Sequence, residues 1–279
     1  MIEIRRMQRG DITRGTDLCR IVNWNQLDAD WQRLIDLDPD GVFAAEEDGI
    51  LCGTASTISY DAEMAWIGMI LVHPEFRGRG LASQLMRQCI SYLKQRHVES
   101  IKLDATDMGR PVYLKLGFKE EEPIVRYVSE SPRLTGGVSG HVTDILDWTE
   151  ISSLDNVAFG ANRTPLLKNL SIHGPAVQYR KSGSSDFGFG FARTGFHADF
   201  LGPVVATSAS AGREIIQGLL ARLSDKPVMT DILPANKQSE DLIKSHGFET
   251  SRVLTRMCLG KQKTGNTDFL FGAAGFELG

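Results

Sequence analysis

The chain has 279 residues and 42% hydrophobic content, enough for two domains of ordinary size and a sizeable core. A formal net charge of -4 argues against a dominant nucleic-acid surface, and no apolar run approaches the length of a membrane span. The four cysteines, Cys19, Cys52, Cys89 and Cys258, show no paired spacing and the six histidines form no ligand pattern, so neither a disulfide framework nor a metal site is expected. The start, "MIEIRRMQRGD", is charged from its third residue and does not read as a secretory signal, so a cytoplasmic location is expected.

"IEIRRM" alternates apolar and charged residues and predicts a first strand. "GVFAAEEDGILCGTASTISY" predicts two strands around a hairpin turn at Asp48-Gly49. "AWIGMILV", Ala65 to Val72, is a nearly continuous apolar run suited to a buried central strand. The glycine-rich loop "HPEFRGRG" follows, and then Leu81, Leu85, Met86, Cys89, Ile90 and Leu93 fall at helical spacing. "SIKLDAT" predicts a strand, "RPVYLKLGF" a short helix closed by Gly117, and "PIVRYVSE" another strand. Strand, loop, helix, strand is a βαβ unit and indicates an α/β fold. "SESPRLTGGVSG" breaks the pattern as a linker would.

The second half repeats the first. A shift of 130 places Gly117-Phe118 on Gly247-Phe248 and Arg126 on Arg256, by direct comparison of the two stretches. Leu85, Met86, Cys89, Ile90 and Leu93 then fall on Ile215, Ile216, Leu219, Leu220 and Leu223. Agreement of helix face, turn and final strand at one offset predicts two copies of one fold, residues 1–130 and 131–279.

A helix N-terminus leaves its first N–H groups unpaired and carries partial positive charge, so strand, glycine loop and helix together make an anion cradle. Gly78 and Gly80 allow close approach, Arg77 and Arg79 add charge, and Ala82 is small. The Walker pattern is absent because no Lys-Ser or Lys-Thr follows Gly80, which disfavours ATP. "GRGLAS" also lacks the last glycine of the dinucleotide fingerprint. What remains is R-x-x-G-x-A, Arg77 to Ala82, after Val72-His73-Pro74. With "IKLDAT" and then "VYLKLGF" in order behind it, this resembles the GNAT superfamily of acetyl-CoA-dependent N-acetyltransferases over about residues 1–128.

The resemblance implies two tandem GNAT-like domains, each a mixed, mostly antiparallel sheet flanked by helices. It also implies direct acetyl transfer from acetyl-CoA to an amine. Binding of the CoA pyrophosphate would use Arg77, Gly78, Arg79, Gly80, Leu81, Ala82 and Ser83. Ile70, Leu71 and Val72 would pair with pantetheine, with an N–H at Leu71 or Val72 as oxyanion donor. Tyr113, four residues before Gly117, matches the family's tyrosine acid for the leaving thiolate. Thr106 stands where the family often has a pantetheine-holding asparagine, with Asp107 and Arg110 as nearby alternatives. Asp104 and Glu63 are the candidates for a general base, and His73 reads as a turn residue. Trp24 and Trp31 lie where the family's first helices cover the acceptor, though amphipathic helices also carry core tryptophans.

In the second copy, Arg77, Gly78 and Gly80 fall on Thr207, Ser208 and Ser210, and Tyr113 falls on Ile243. Gly212 matches Ala82 and Asn236 matches Thr106, so small residues and one CoA-like feature persist. The expectation is a degenerate domain that shapes the acceptor pocket or serves as scaffold. The expected partners are acetyl-CoA and an amine, with no nucleic acid or membrane, in a monomer or homodimer. A non-enzymatic acyl-CoA sensor is the alternative.

Overall fold

The apolar run read as a central strand is the axis of the first half of the chain. In the computed structural model, which describes residues 1–279, the chain divides into two units. The first comprises Met1–Glu121, Met257–Gln262 and Glu277–Gly279, and the second comprises Glu122–Arg256 and Lys263–Phe276.

The first unit contains β1 (Glu3–Arg6), α1 (Ile12–Ile21), α2 (Asp28–Leu37), β2 (Val42–Glu47), β3 (Ile50–Tyr60) and β4 (Met64–Val72). These are followed by α3 (Leu81–Gln95), β5 (Ser100–Ala105) and α4 (Arg110–Lys115). Strands β1 to β4 are antiparallel neighbours, and β5 lies parallel to β4. The predicted hairpin turn is present: Asp48 and Gly49, at φ 51 and 80, join β2 to β3 in the conformation that Asp-Gly favours. One sheet face carries Ala65, Ile67, Ile101 and Leu103 against Leu81, Leu85, Cys89 and Leu93 of α3. Each such buried leucine is worth about 2 kcal/mol. Trp31, on α2, is fully buried, so it belongs to the core rather than to a substrate surface.

The second unit takes most of β6 (Lys119–Ser129), then β7 (Val142–Thr143), α5 (Trp148–Phe159), α6 (Thr164–His173), β8 (Ala176–Arg180) and β9 (Phe187–Arg193). It continues with β10 (Asp199–Ala206), α7 (Ala209–Leu220), β11 (Val228–Ile232), α8 (Lys237–Ser245), β12 (Glu249–Gly260) and β13 (Leu270–Gly272). Its strands run β6-β11-β10-β9-β8-β7, with β13 added on β10. Arg126 on β6 makes a bidentate pair with Asp231 on β11, both contacts 2.7 Å.

The repeat is visible in matching turns. Gly117 and Gly247 follow α4 and α8 at φ 93 and 85, and Phe118 and Phe248 are buried behind them. The strands after these turns do not stay with their own halves. From Glu122 onward β6 belongs to the second unit and pairs with β11, while the end of β12, Met257–Gly260, belongs to the first unit beside β5. Met257 joins the core under α3, and the Lys261 N–H donates to Glu99 O at 2.9 Å. The units are therefore not divided at a single point near residue 130, where the sequence predicts the boundary. Both strands follow the same Gly-Phe turn with similar patterning, so the sequence alone does not assign either to a sheet. No helix is long and apolar enough to cross a membrane.

Candidate active site

The site is built on a break in β4. Strand β4 pairs with β5 at Met64↔Ser100, Ala65↔Ile101 and Trp66↔Lys102, and the pairing ends there. Against β3, Gly68 pairs with Ser56 and Leu71 with Thr54, so Met69 and Ile70 together oppose Ala55. This is a β-bulge, with Met69 at φ 51, a backbone strain of about 1–3 kcal/mol for a non-glycine residue. Thr54, fully buried, holds it by donating from Oγ1 to Met69 O at 2.9 Å.

The bulge decides which backbone groups face the opening. The His73 N–H donates to Cys52 O at 2.9 Å, and alternate residues of an antiparallel ladder bond the same neighbour. Leu71 and His73 therefore face β3, whereas Val72 turns its backbone toward the gap that β5 has left. Of the two N–H groups considered from sequence, it is that of Val72 that points there. Arg77 Nε reaches back to Val72 O at 3.3 Å.

Beyond Val72, Pro74–Phe76 form a 3-10 turn, and Gly78 and Gly80 adopt φ 77 and 76. A Cβ at either glycine would meet nothing within 4 Å, so the chain conformation, not crowding, is what requires glycine. Gly80 is the N-cap of α3 and supplies no side-chain cap, and no acidic residue stands in the first turn. The N–H groups of Leu81, Ala82 and Ser83 are thus outside the helical ladder, at the positive end of a 15-residue helix.

These elements border a cleft of about 400 Å³, within the range of small-molecule sites. Ile70, Leu71, Val72, Arg77, Gly78, Gly80, Leu81, Ala82, Ser83, Thr106 and Tyr113 all line it. Trp24 is there with Val22, after α1, and so are Phe76, Met108, Gly109 and Val112. Tyr113 packs its ring on Gly109, where a Cβ would approach within 2.8 Å. Burial pushes the Tyr113 phenol up to about 12, so it stays protonated and donates. Thr106 Oγ1 accepts from the Gly109 N–H at 3.2 Å, which leaves Thr106 shaping the turn before α4.

Arg79, Arg110, Glu63, Asp104 and the exposed Asp107, all singled out from sequence, stand off the cleft lining. Arg79 pairs with Glu47 at 3.1 Å and lies over the Phe76 ring. Arg110 pairs with Glu120 at 2.5 Å on the surface. Glu63 lies in the exposed turn before β4, at the opposite end of that nine-residue strand from Val72 and about 30 Å away. Asp104 is half-buried on β5, two residues after Lys102, and so shares the sheet face of Trp66 and Gly68. The cleft residues not foreseen from sequence are Val22, Phe76, Met108, Gly109 and Val112. Phe76 lies within the glycine-rich loop and Val112 beside Tyr113, whereas Gly109 falls between the predicted strand and helix.

The second unit carries the same break with a different outcome. Strand β10 pairs with β11 only at Asp199 and Phe200, and Gly202 and Pro203 bulge opposite Phe191. In the gap beyond, β13 pairs with Val204 and Val205. Asn236 Nδ2 donates to Asp268 O and Leu270 O, both at 3.0 Å, so the asparagine read as a CoA-like feature holds the chain's own backbone. The Phe271 ring lies against Gly212, where a Cβ would meet it at 2.9 Å. Only Thr207 and Ser208 separate β10 from α7, and Ser208 caps that helix by accepting from the Ala211 N–H. The small residues expected to leave room for a phosphate are in a helix start that is already capped.

A bulged, splayed strand, an uncapped helix and a half-buried phenol share one cleft, and the same strand break recurs in the second half. The Acetyltransferase (GNAT) family profile matches residues 12–118, and that of the Acetyltransferase (GNAT) domain matches residues 151–272. The chain is a tandem GNAT acyltransferase. Among its relatives, the uncharacterized N-acetyltransferase YitH of Bacillus subtilis (strain 168) is 27% identical over 65% of this chain and 65% of its own. The holothin acyltransferase of Pseudoalteromonas sp. (strain SANK 73390) is 25% identical over 92% of this chain and 87% of its own. The crystal structure of a putative acetyltransferase from Pyrococcus horikoshii has the same fold, with a TM-score of 0.86, 24% identity and coverage of 100% and 96% of the two chains. A tandem GNAT protein from the clavulanic acid biosynthesis pathway matches at a TM-score of 0.63 and 13% identity, over 93% and 98%. GNAT acetyltransferases use acyl-CoA as co-substrate. In this tandem GNAT an open cleft borders the break in β4, and β13 pairs with β10 at the corresponding break.

Proposed function

We propose that this tandem GNAT is an acetyl-CoA-dependent N-acetyltransferase whose first unit transfers an acetyl group directly to a primary amine. The observation that carries the reading is the convergence of the Val72 N–H, the uncapped start of α3 and the Tyr113 phenol on one cleft. The N–H groups of Leu81 to Ser83, with Arg77, suit a pyrophosphate. Displaced from Val72 O by a ligand amide, Arg77 is free to turn to that anion. The Val72 N–H suits a thioester oxygen that gains negative charge during attack.

The phenol limits its own role. With a pKa of about 12, Tyr113 is a poor full donor to a thiolate of ordinary pKa near 8.5, a mismatch of about 5 kcal/mol. It stabilises the leaving sulfur as a hydrogen-bond donor, and the proton that ends on sulfur arrives later from water. The second unit takes no acyl-CoA, because its cleft holds β13. The relative named an N-acetyltransferase, at 27% identity, supports nitrogen as the acceptor.

Titration calorimetry with acetyl-CoA, followed by CoA thiol release in the presence of a panel of primary amines, tests the reading. One binding site per chain and amine-dependent thiol release are expected. No binding, or binding that no amine converts to thiol release, would overturn it.

A further inference from the structure

Helix α1 ends in a turn that fixes where Trp24 stands. Asn23, at φ 59, donates from its N–H to Arg20 O at 3.0 Å, and the Trp24 N–H donates to Cys19 O at 2.8 Å. That pair of bonds is a Schellman cap, with asparagine in the left-handed position that glycine more often fills. Arg20 holds the following residues by donating from Nη1 to Trp24 O at 3.4 Å and to Gln26 O at 2.8 Å. The backbone of Trp24 is thus bonded to its own chain, and what the residue offers the cleft is its half-buried ring.

Helices α1 and α3 both pack on β3 and β4. Ala65 and Ile67 face α3, so α1 covers the opposite face of the sheet. Leu81 and Tyr113 pack on the α3 side, whereas Val22 and Trp24 follow α1. Both sets line one cleft, which therefore passes through the gap beside β4 rather than ending in it. A co-substrate whose anion lies at the start of α3 enters from the α3 side. The amine has the α1 side left to it.

That side is apolar. None of the residues that line the cleft is acidic, and the one cation among them, Arg77, stands in the loop before α3. Val22 lies beside Trp24, and across the gap, past the end of β5, Met108 is 78% exposed. A methionine so exposed at the rim of a cleft offers flexible apolar surface to a ligand. A polycationic acceptor would bring charges that no lining carboxylate answers. A free amino acid would bring a carboxylate whose one lining cation belongs to the phosphate end. An indole face opposite a thioether suits a flat apolar skeleton instead.

We propose that the first unit acetylates a primary amine carried on a flat, apolar ring system, and that Trp24 selects it, a substrate class that rests on the amine-acetylating reading above. The ring stacks on the indole, and the amine at the end of a short arm reaches the thioester in the gap.

The test follows CoA thiol release by the full chain with phenethylamine, cyclohexylethylamine and cadaverine. The first carries a flat ring, the second an apolar ring that is not flat, and the third two charges and no ring. kcat/KM for phenethylamine is expected to exceed that for cyclohexylethylamine about 5-fold and that for cadaverine about 100-fold. Trp24→Ala is expected to raise KM for phenethylamine about 20-fold with kcat changed less than about 3-fold, and Trp24→Phe to restore most of the loss. Acetyl-CoA affinity, measured by calorimetry, is expected to stay within about 3-fold of the native value in both variants. A preference for cadaverine, or a KM that Trp24→Ala leaves unchanged, overturns the proposal. An equal loss of acetyl-CoA affinity overturns it by placing Trp24 on pantetheine. Better use of hexanoyl-CoA by Trp24→Ala than by the native protein overturns it by placing the ring at the acyl group. Amine-dependent release without ring preference overturns the acceptor class alone. A native protein that binds acetyl-CoA and responds to no amine overturns the acetyltransferase reading with it.

Discussion

Asn236 donates from one amide nitrogen to the carbonyl oxygens of Asp268 and Leu270, both at 3.0 Å, and so fastens β13 into the gap beside β10. Asn236→Ala leaves the buried Leu270 carbonyl and the part-buried Asp268 carbonyl without that donor, a cost of about 2 kcal/mol. The expected result is a lower midpoint in urea denaturation with acetyl-CoA stoichiometry still one per chain. A second site in the native protein would show that β13 is displaced by the ligand.

Gly80→Glu is expected to abolish acetyl-CoA binding. The residue must adopt φ 76, which suits glycine, and its carboxylate would stand at the positive end of α3, where the anion is proposed to sit. Calorimetry should show a loss of about 100-fold or more, with far-UV circular dichroism unchanged. Retained affinity would place the cofactor elsewhere.

Tyr113→Phe removes the hydroxyl and keeps the ring on Gly109. It should lower kcat about 100-fold while the dissociation constant for acetyl-CoA changes less than about 3-fold. Because the phenol pKa is raised to about 12, it remains a donor through neutral and alkaline pH, and no loss of kcat attributable to it is expected below about pH 11. Equal losses in turnover and affinity would make Tyr113 a packing residue.

Thr54→Val keeps the shape of a buried side chain and removes the donor to Met69 O. The bulge then loses its tie, and Val72 loses its fixed direction toward the cleft. A rise of about 10-fold in the dissociation constant for acetyl-CoA is expected, with a smaller change in melting temperature. An unchanged affinity would show that the β3 ladder alone sets the bulge.

Asp11 accepts from Arg5 at 2.7 Å and from the Gln8 N–H at 2.8 Å, and the Arg5 guanidinium holds its carboxyl below the usual 3.8. A carboxyl depressed in the folded state stabilises the fold above its unfolded pKa and loses that contribution as pH falls through the folded value. Asp11→Asn is therefore expected to lower the melting temperature at neutral pH, with the gap from the native protein closing below about pH 3.8. A gap that persists in acid would mean that shape, not charge, is lost.

The features that sequence revealed are those with local cause. The loop from Arg77 to Ala82, Tyr113 before Gly117, and the Asp48-Gly49 turn each depend on neighbours in the chain, and each stands where the pattern put it. Three things depend on residues far apart. Glu277 reaches Gly68 only through the course of the C-terminal segment, which leaves no spacing to read. Asn236 matched Thr106 in position, but that its side chain holds β13 depends on residues 32 and 34 positions further on. The exchange of β6 and β12 was hidden because the two strands resemble each other. The loop of the second copy was misaligned for a related reason: a constant offset cannot register that Thr207 and Ser208 replace eight residues, His73 to Gly80.

Met257–Gly260 and Glu277–Gly279 complete a unit whose other residues are Met1 to Glu121 and the two that follow Gly260. By the time a ribosome has added Tyr113 it has made every residue that lines the cleft, yet β5 still lacks the strand that will cover its edge. The part of the enzyme begun first is thus finished last. During synthesis that edge waits unpaired while the second unit is made, a period in which a nascent chain is open to misassembly and to chaperone binding. A chain cut before Met257 would keep every residue that lines the cleft and still lack the strand beside β5.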